Sequence, residues 1–113
     1  MSEQLEILKL KEKLENANIP FEYNDDLFNG YKSPSYQIVI STKYNERLCD
    51  AVYHFGSYGY EQGLIEIMGA LTYEEYENDS VLGYLTADEV FERFKYCYEH
   101  STSVFKIKEN KRK

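Results

Sequence analysis

Leu5, Ile7, Leu8, Leu10, Leu14 and Ala17 recur at helical spacing, while Lys9, Lys11, Glu12, Lys13 and Glu15 fill the opposite side. An apolar stripe of that period predicts an amphipathic helix over residues 2–18. Ser2 is placed to cap its start. Asn16, Asn18 and Pro20 are placed to stop it, because proline disfavours helix in the residue before it. The period then drops to two. Phe21-Glu22-Tyr23 alternates briefly, making 21–23 a candidate short strand, before Asn24-Asp25-Asp26 and Asn29-Gly30 break the chain. Asn-Gly suits a tight turn since both residues tolerate positive φ. Tyr31 to Ser35, with Pro34, reads as loop or sheet edge. Residues 36–42 form a clear strand, with Tyr36, Ile38 and Ile40 on one face and Gln37, Val39 and Ser41 on the other. After the polar turn Lys43-Tyr44-Asn45-Glu46, a second strand over 48–55 places Cys49, Ala51, Tyr53 and Phe55 against Leu48, Asp50, Val52 and His54. The two strands are expected to pair as an antiparallel hairpin.

A glycine-spaced loop follows, from Gly56 to Gly63. Residues 63–68 fit either period. Leu64, Ile67, Met68 and Leu71 suit a helix face, yet Gly63 and Gly69 bracket only a strand-like length, and glycine inside a helix costs about 1 kcal/mol. A third antiparallel strand is the preferred reading. Thr72-Tyr73-Glu74-Glu75 is a capping box with Leu71 and Tyr76 as its hydrophobic staple, opening a short helix over 73–78. Thr86-Ala87-Asp88-Glu89 is a second box, stapled by Leu85 and Val90, opening a helix over 87–99 whose Val90, Phe94 and Cys97 share a face. Val81-Leu82-Gly83-Tyr84 links them as a candidate edge strand. The expectation is an α+β domain: an antiparallel sheet of three to four strands with helices packed on one face.

Size and composition agree with this. A chain of 113 residues, 42% hydrophobic and 29% charged, makes one globular domain without metal or disulfide staples. Residues 1–100 are expected to form that domain, and 101–113 a basic, frayed tail. No apolar run approaches the length of a membrane span, and Met1-Ser2-Glu3-Gln4 lacks the basic start of a signal peptide, so a cytoplasmic protein is expected. Residues 61–99 carry a net charge of −8 and residues 100–113 a net charge of +4, within a total of −7. An acidic body argues against direct nucleic-acid binding, which needs a basic face. Cys49 and Cys97 are the only cysteines, and a reducing compartment makes two free, half-buried thiols the default. With His54 and His100 they are the only Cys and His, and none is spaced as a zinc-ligand pair. No metal, cofactor or membrane partner is expected.

Candidate chemistry concentrates after the second strand, in Tyr53-His54-Phe55-Gly56-Ser57-Tyr58-Gly59-Tyr60-Glu61. His54, Ser57, Tyr58, Tyr60 and Glu61 combine a base, a nucleophile, aromatic rings and an acid at a strand end, where functional loops sit. Strand geometry gives no reason for the His54 ring to reach Ser57, and neither a nucleophile elbow nor a phosphate-cradling glycine pattern is present. Glu66, in the apolar run Leu64 to Met68, could act as an acid or base if desolvated. Its other reading is a side chain that reaches solvent at a sheet edge. Glu74, Glu75, Glu77 and Asp79 form a candidate acidic face, short of an EF-hand pattern but able to imitate phosphates in a basic groove. The composition holds twelve tyrosines, six phenylalanines and no tryptophan. Tyrosine covers apolar surface while keeping a polar tip, which favours interfaces and also the margins of a small core.

Several phrases together resemble a family. They are Ile19-Pro20-Phe21-Glu22-Tyr23, Asp25-Asp26-Leu27-Phe28-Asn29-Gly30-Tyr31, His54-Phe55-Gly56-Ser57-Tyr58-Gly59, Gly63-Leu64-Ile65-Glu66-Ile67-Met68-Gly69, and Val81 through Phe91. The chain resembles, over roughly residues 5–98, small proteins carried by prophages and mobile elements of Firmicutes, a family with no assigned activity. The resemblance implies a genetic context and no functional residue. Three expectations follow: first, a non-enzymatic accessory protein that binds another protein; second, an acidic nucleic-acid mimic inhibiting a host DNA-binding or defence protein; third, a small-ligand binder or enzyme built on the 54–61 loop. Exposed tyrosines and strand edges also leave a homodimer open.

Overall fold

The computed structural model describes residues 5–25 and 35–106. The Ser2 cap, the Asn29-Gly30 turn, most of the 31–35 loop and the last seven residues lie outside them. The elements run α1 (Glu6–Asn16), β1 (Glu22–Asp25), β2 (Tyr36–Ser41), β3 (Arg47–Tyr53), β4 (Ile65–Met68), α2 (Tyr73–Asn78), β5 (Val81–Leu85) and α3 (Ala87–His100). A 3-10 turn, Tyr60–Gln62, precedes β4. The strands form one antiparallel meander in the order β1-β2-β3-β4-β5, so each strand pairs with its sequence neighbour.

Among the described residues the sheet has five strands where three to four were expected. Val81–Leu85 is the added one, pairing with β4. Asn24 and Asp25, read as breakers, continue β1 by pairing with Gln37 and Tyr36. Ladder hydrogen bonds to a well-formed neighbour outweigh their weak strand propensity. The second expected strand ends at Tyr53 rather than residue 55, because Ser57 closes a turn on His54 and swings Phe55 out of the sheet.

α1 begins at Glu6, later than its expected start, with Leu5 as an N-cap that gives no side-chain bond. Past its last residue, Asn16, the chain turns at Asn18, which takes a positive φ of 59°. The Asn18 N–H then donates to Glu15 O and the Ile19 N–H to Leu14 O, the doubly bonded helix stop that asparagine supports at this position. Ile7, Leu10 and Leu14 of α1, with Val90, Phe94 and Cys97 of α3, face Ile38, Ile40, Cys49, Ala51, Ile65 and Ile67 of the sheet. Both capping boxes form in full. The Glu6 carboxylate also accepts from the Ala87 N–H at 2.7 Å, joining the starts of α1 and α3. Among the described residues no helix is long and apolar enough to cross a membrane.

The boundary expected at residue 100 moves outward. Ser101 adopts a left-handed conformation that turns the chain, and Thr102 N–H donates to Cys97 O. The segment then runs beside Leu71 as a parallel bridge through Val104, with Ala70 N–H donating to Ser103 O at 2.8 Å and Phe105 N–H to Leu71 O at 2.9 Å. Phe105 is buried, edge-on to Tyr96 and beneath the Arg93 guanidinium. Residues 101–105 therefore belong to the domain. Both cysteines are free and fully buried rather than half-buried.

Candidate interaction surface

The 56–63 loop is held from every side. Tyr53 Oη donates to Tyr60 O at 2.9 Å, tying the loop to the end of β3. The Ser57 hydroxyl donates to His54 O at 2.8 Å and accepts from His54 N–H at 3.1 Å. Glu66, from the middle of the sheet, accepts the Tyr58 N–H at 2.8 Å. Tyr58 O in turn accepts from the Tyr84 N–H of β5 at 3.4 Å. Gly83 permits this docking: a Cβ there would stand 2.2 Å from the Tyr58 Cβ. Gly59 permits it too, with a positive φ of 95° and only 3.0 Å to spare against the Leu64 Cβ.

On this fixed backbone three rings face outward. Phe55 is 69% exposed, Tyr84 59% and Tyr58 50%. Tyr58 and Tyr84 stack at 6.5 Å with nearly parallel planes. Phe55 meets Tyr60 edge-on at 5.9 Å, and Tyr60 continues a row of rings through Tyr53, Tyr36 and Tyr23 across β3, β2 and β1. Burial raises the Tyr53 and Tyr23 phenols above the ordinary tyrosine range, so they stay neutral. The tyrosine excess thus has two uses. Tyr23, Tyr36, Tyr53, Tyr60, Tyr76, Tyr96 and Tyr98 finish the core, whereas Tyr44, Tyr58, Tyr73 and Tyr84 are exposed.

Of the loop residues singled out by sequence, the structure brings Tyr58 and Tyr60 into aromatic clusters and leaves Glu61 exposed on the 3-10 turn. Ser57 is buried, and both hydrogen bonds of its hydroxyl go to the His54 backbone, not the imidazole. His54 Nδ1 lies 3.0 Å from Phe55 O. Glu66 does not sit at a sheet edge: β4 is flanked by β3 and β5, and its carboxylate anchors the loop. Phe55 and Tyr84 were not singled out. The only sequence signal for Tyr84 is Gly83 before it, which marks a close approach without naming the partner.

The acidic run is less uniform than its sequence. Glu75 turns inward to a two-pronged pair with Arg93, at 2.8 and 2.9 Å, while closing the Thr72 capping box. The Arg93 hydrogen bonds hold the Glu75 carboxyl below its usual range despite its partial burial. Glu74 and Glu77 are exposed, and Asp79 accepts from Ser80 N–H. On the sheet, Asn24, Gln37 and Asp50 form a polar ladder across β1, β2 and β3. The buried Asp50 Oδ1 lacks a hydrogen-bond partner among the described residues.

Among the described residues no three His, Cys, Asp or Glu side chains gather as a metal site. Two shallow clefts, one along α3 and Phe105 and one at the β2–β3 turn, take no lining from residues 54–61. No protein-family profile, curated protein or solved structure matches the chain. The fold defines an α+β class, a five-stranded antiparallel meander with helices α1 and α3 on one face.

Proposed function

We propose that this chain is a non-enzymatic, cytoplasmic accessory protein of a phage or mobile element that binds another protein through Phe55, Tyr58 and Tyr84. The observation that carries the reading is the combination of half-exposed or more exposed rings with a backbone held by Ser57, Glu66 and Gly83. Rigid aromatic side chains on a preformed loop lose little conformational freedom on binding, the property that concentrates binding energy in tyrosine anchors. The mimicry reading is weaker, because Glu66, Glu75, Asp88 and Glu99 already have internal partners. The small-ligand reading needs His54 and Ser57 to converge in a concavity, and Ser57 is committed to the backbone.

The test is affinity capture of a bacterial host lysate with tagged protein, with and without nuclease, read by mass spectrometry. The expected result is one stoichiometric protein partner that survives nuclease and disappears with the double variant Tyr58→Ala, Tyr84→Ala, while the thermal melt of the variant stays cooperative. A partner retained by the double variant, or none captured, would overturn the assignment of this surface. A DNA-binding partner displaced by added DNA would favour mimicry instead.

A further inference from the structure

The chain doubles back after α3. Ser101 takes a left-handed conformation and Thr102 N–H donates to Cys97 O. The Phe105 ring then lies 5.5 Å from the Tyr96 ring and 5.0 Å from the Arg93 guanidinium. Residues 102–105 thus meet α3 at positions successively nearer its start. A cleft of about 1050 Å³ runs along the helix here, lined by Phe105 and Lys106 together with Tyr96, Arg93, Glu92 and Glu89. Lys106 is the last described residue of the chain, so the described chain ends in this cleft, directed toward the start of α3. Charge changes along the way. Lys95 pairs with Glu99 at 3.0 Å, and Arg93 is committed to Glu75. Farther on, Glu89 and Glu92 are exposed and have no cation partner among the described residues. Glu89 uses only its Oε1 to close the capping box, which leaves Oε2 free of that task.

We propose that the far half of this cleft is the docking groove for the chain's own C-terminal segment, residues 107–113, with Lys108 and Lys111 paired to the Glu89 and Glu92 carboxylates. The sequence Ile107-Lys108-Glu109-Asn110-Lys111-Arg112-Lys113 carries four cations against one acid, the charge that two uncompensated carboxylates call for. Its length is sufficient. Arg93 to Glu89 is about 6 Å along the helix axis, whereas seven extended residues reach about 23 Å. Ile107 is the one apolar side chain of the segment, and Phe105, Tyr96 and Leu85 give the cleft an apolar lining to receive it.

Tethering is what favours this occupant over a free one. Exposed ion pairs are individually weak, and a separate basic peptide would hold such a groove only loosely. A segment joined to the cleft at Lys106 needs no second encounter, because its effective concentration there is on the order of millimolar. The contact is electrostatic, so added salt weakens it. It is also separate from Phe55, Tyr58 and Tyr84, none of which lines the cleft.

The experiment treats the native full chain, dilute and at low salt, with a water-soluble carbodiimide, which joins a lysine amine to a carboxylate in contact with it. The monomer is isolated, digested and read by mass spectrometry. The expected products are amide links from Lys108 or Lys111 to Glu89 or Glu92. Their yield should fall several-fold at about 1 M salt, where screening acts within about 3 Å. Lys13 and Asp88, 2.6 Å apart, supply the link that reports the folded state. In the double variant Glu89→Gln, Glu92→Gln the segment links should vanish while the Lys13–Asp88 link remains, since glutamine still closes the capping box. Segment lysines linked to other carboxylates, or to none, beside a normal Lys13–Asp88 link would overturn the proposal. So would links to Glu89 and Glu92 found only in dimers, the mark of a second copy's segment.

Discussion

Glu75 closes a capping box and grips Arg93, and the two roles can be separated chemically. Glutamine keeps the box, because its amide oxygen still accepts from the Thr72 N–H, but surrenders the charge. Glu75→Gln is therefore expected to cost about 1–2 kcal/mol at neutral pH, measured by urea unfolding. The pH dependence follows from the direction of the shift. The folded-state carboxyl is depressed below its ordinary value of 4.5, so its contribution is complete above that value and is lost as pH falls through the lower, folded one. The gap between wild type and variant should close in strong acid; a gap that persists there would mean that packing, not the ion pair, is the source. At Gly83 the controlling quantity is distance. Gly83→Ala puts a methyl 2.2 Å from the Tyr58 Cβ, so the loop must move. The expected cost is about 1–3 kcal/mol, with faster hydrogen exchange at the Tyr58 amide. Unchanged exchange there would show that the loop is not seated on β5.

At the scale of elements, local rules were reliable where the chain carries its own partner. Both capping boxes lie within four consecutive residues, and both formed as read. The five-residue ambiguity before Gly69 resolved as strand because β3 and β5 offer ladders on both sides of β4. Local reading failed where alternation hides a side-chain turn and where the partner is remote. Alternation carries on through Phe55, yet the Ser57 hydroxyl ends the strand at Tyr53. Residues 101–105 look like a tail because Lys106 onwards is basic, yet Ala70 N–H donates to Ser103 O and Leu71 O accepts from Phe105 N–H. Phe105→Ala is expected to destabilise the fold by about 3 kcal/mol in denaturant unfolding, the cost of emptying a buried aromatic site. A loss below about 0.5 kcal/mol would restore the shorter domain, since that is the range of surface substitutions.

For the whole molecule, the decisive arrangement is a meander that sets β5 and the 56–63 loop side by side although Tyr58 and Tyr84 are far apart in sequence. The net charge of −7 could attract a basic partner at long range, but stacked rings form the proposed contact surface. Capture through Tyr58 and Tyr84 should accordingly withstand added salt, because apolar burial is unscreened whereas charge pairing between exposed groups is screened within about 10 Å at 0.1 M. Capture that collapses as salt rises would point to the carboxylates, and to mimicry.

The periodicities by themselves determined the α1 stripe, the β2 and β3 alternation and the starts of α2 and α3, since each depends on residues within a turn or a pleat of one another. They also marked 56–63 as a glycine-spaced loop, whose order came from bonds to β3, β4 and β5. Only the tertiary structure decided that Glu66 anchors that loop, that Tyr84 stacks beside Tyr58, and that Arg93 claims Glu75. Each of those is a pairing between separate elements. Such a pairing exists only once the sheet has closed its register and the helices have settled on its face.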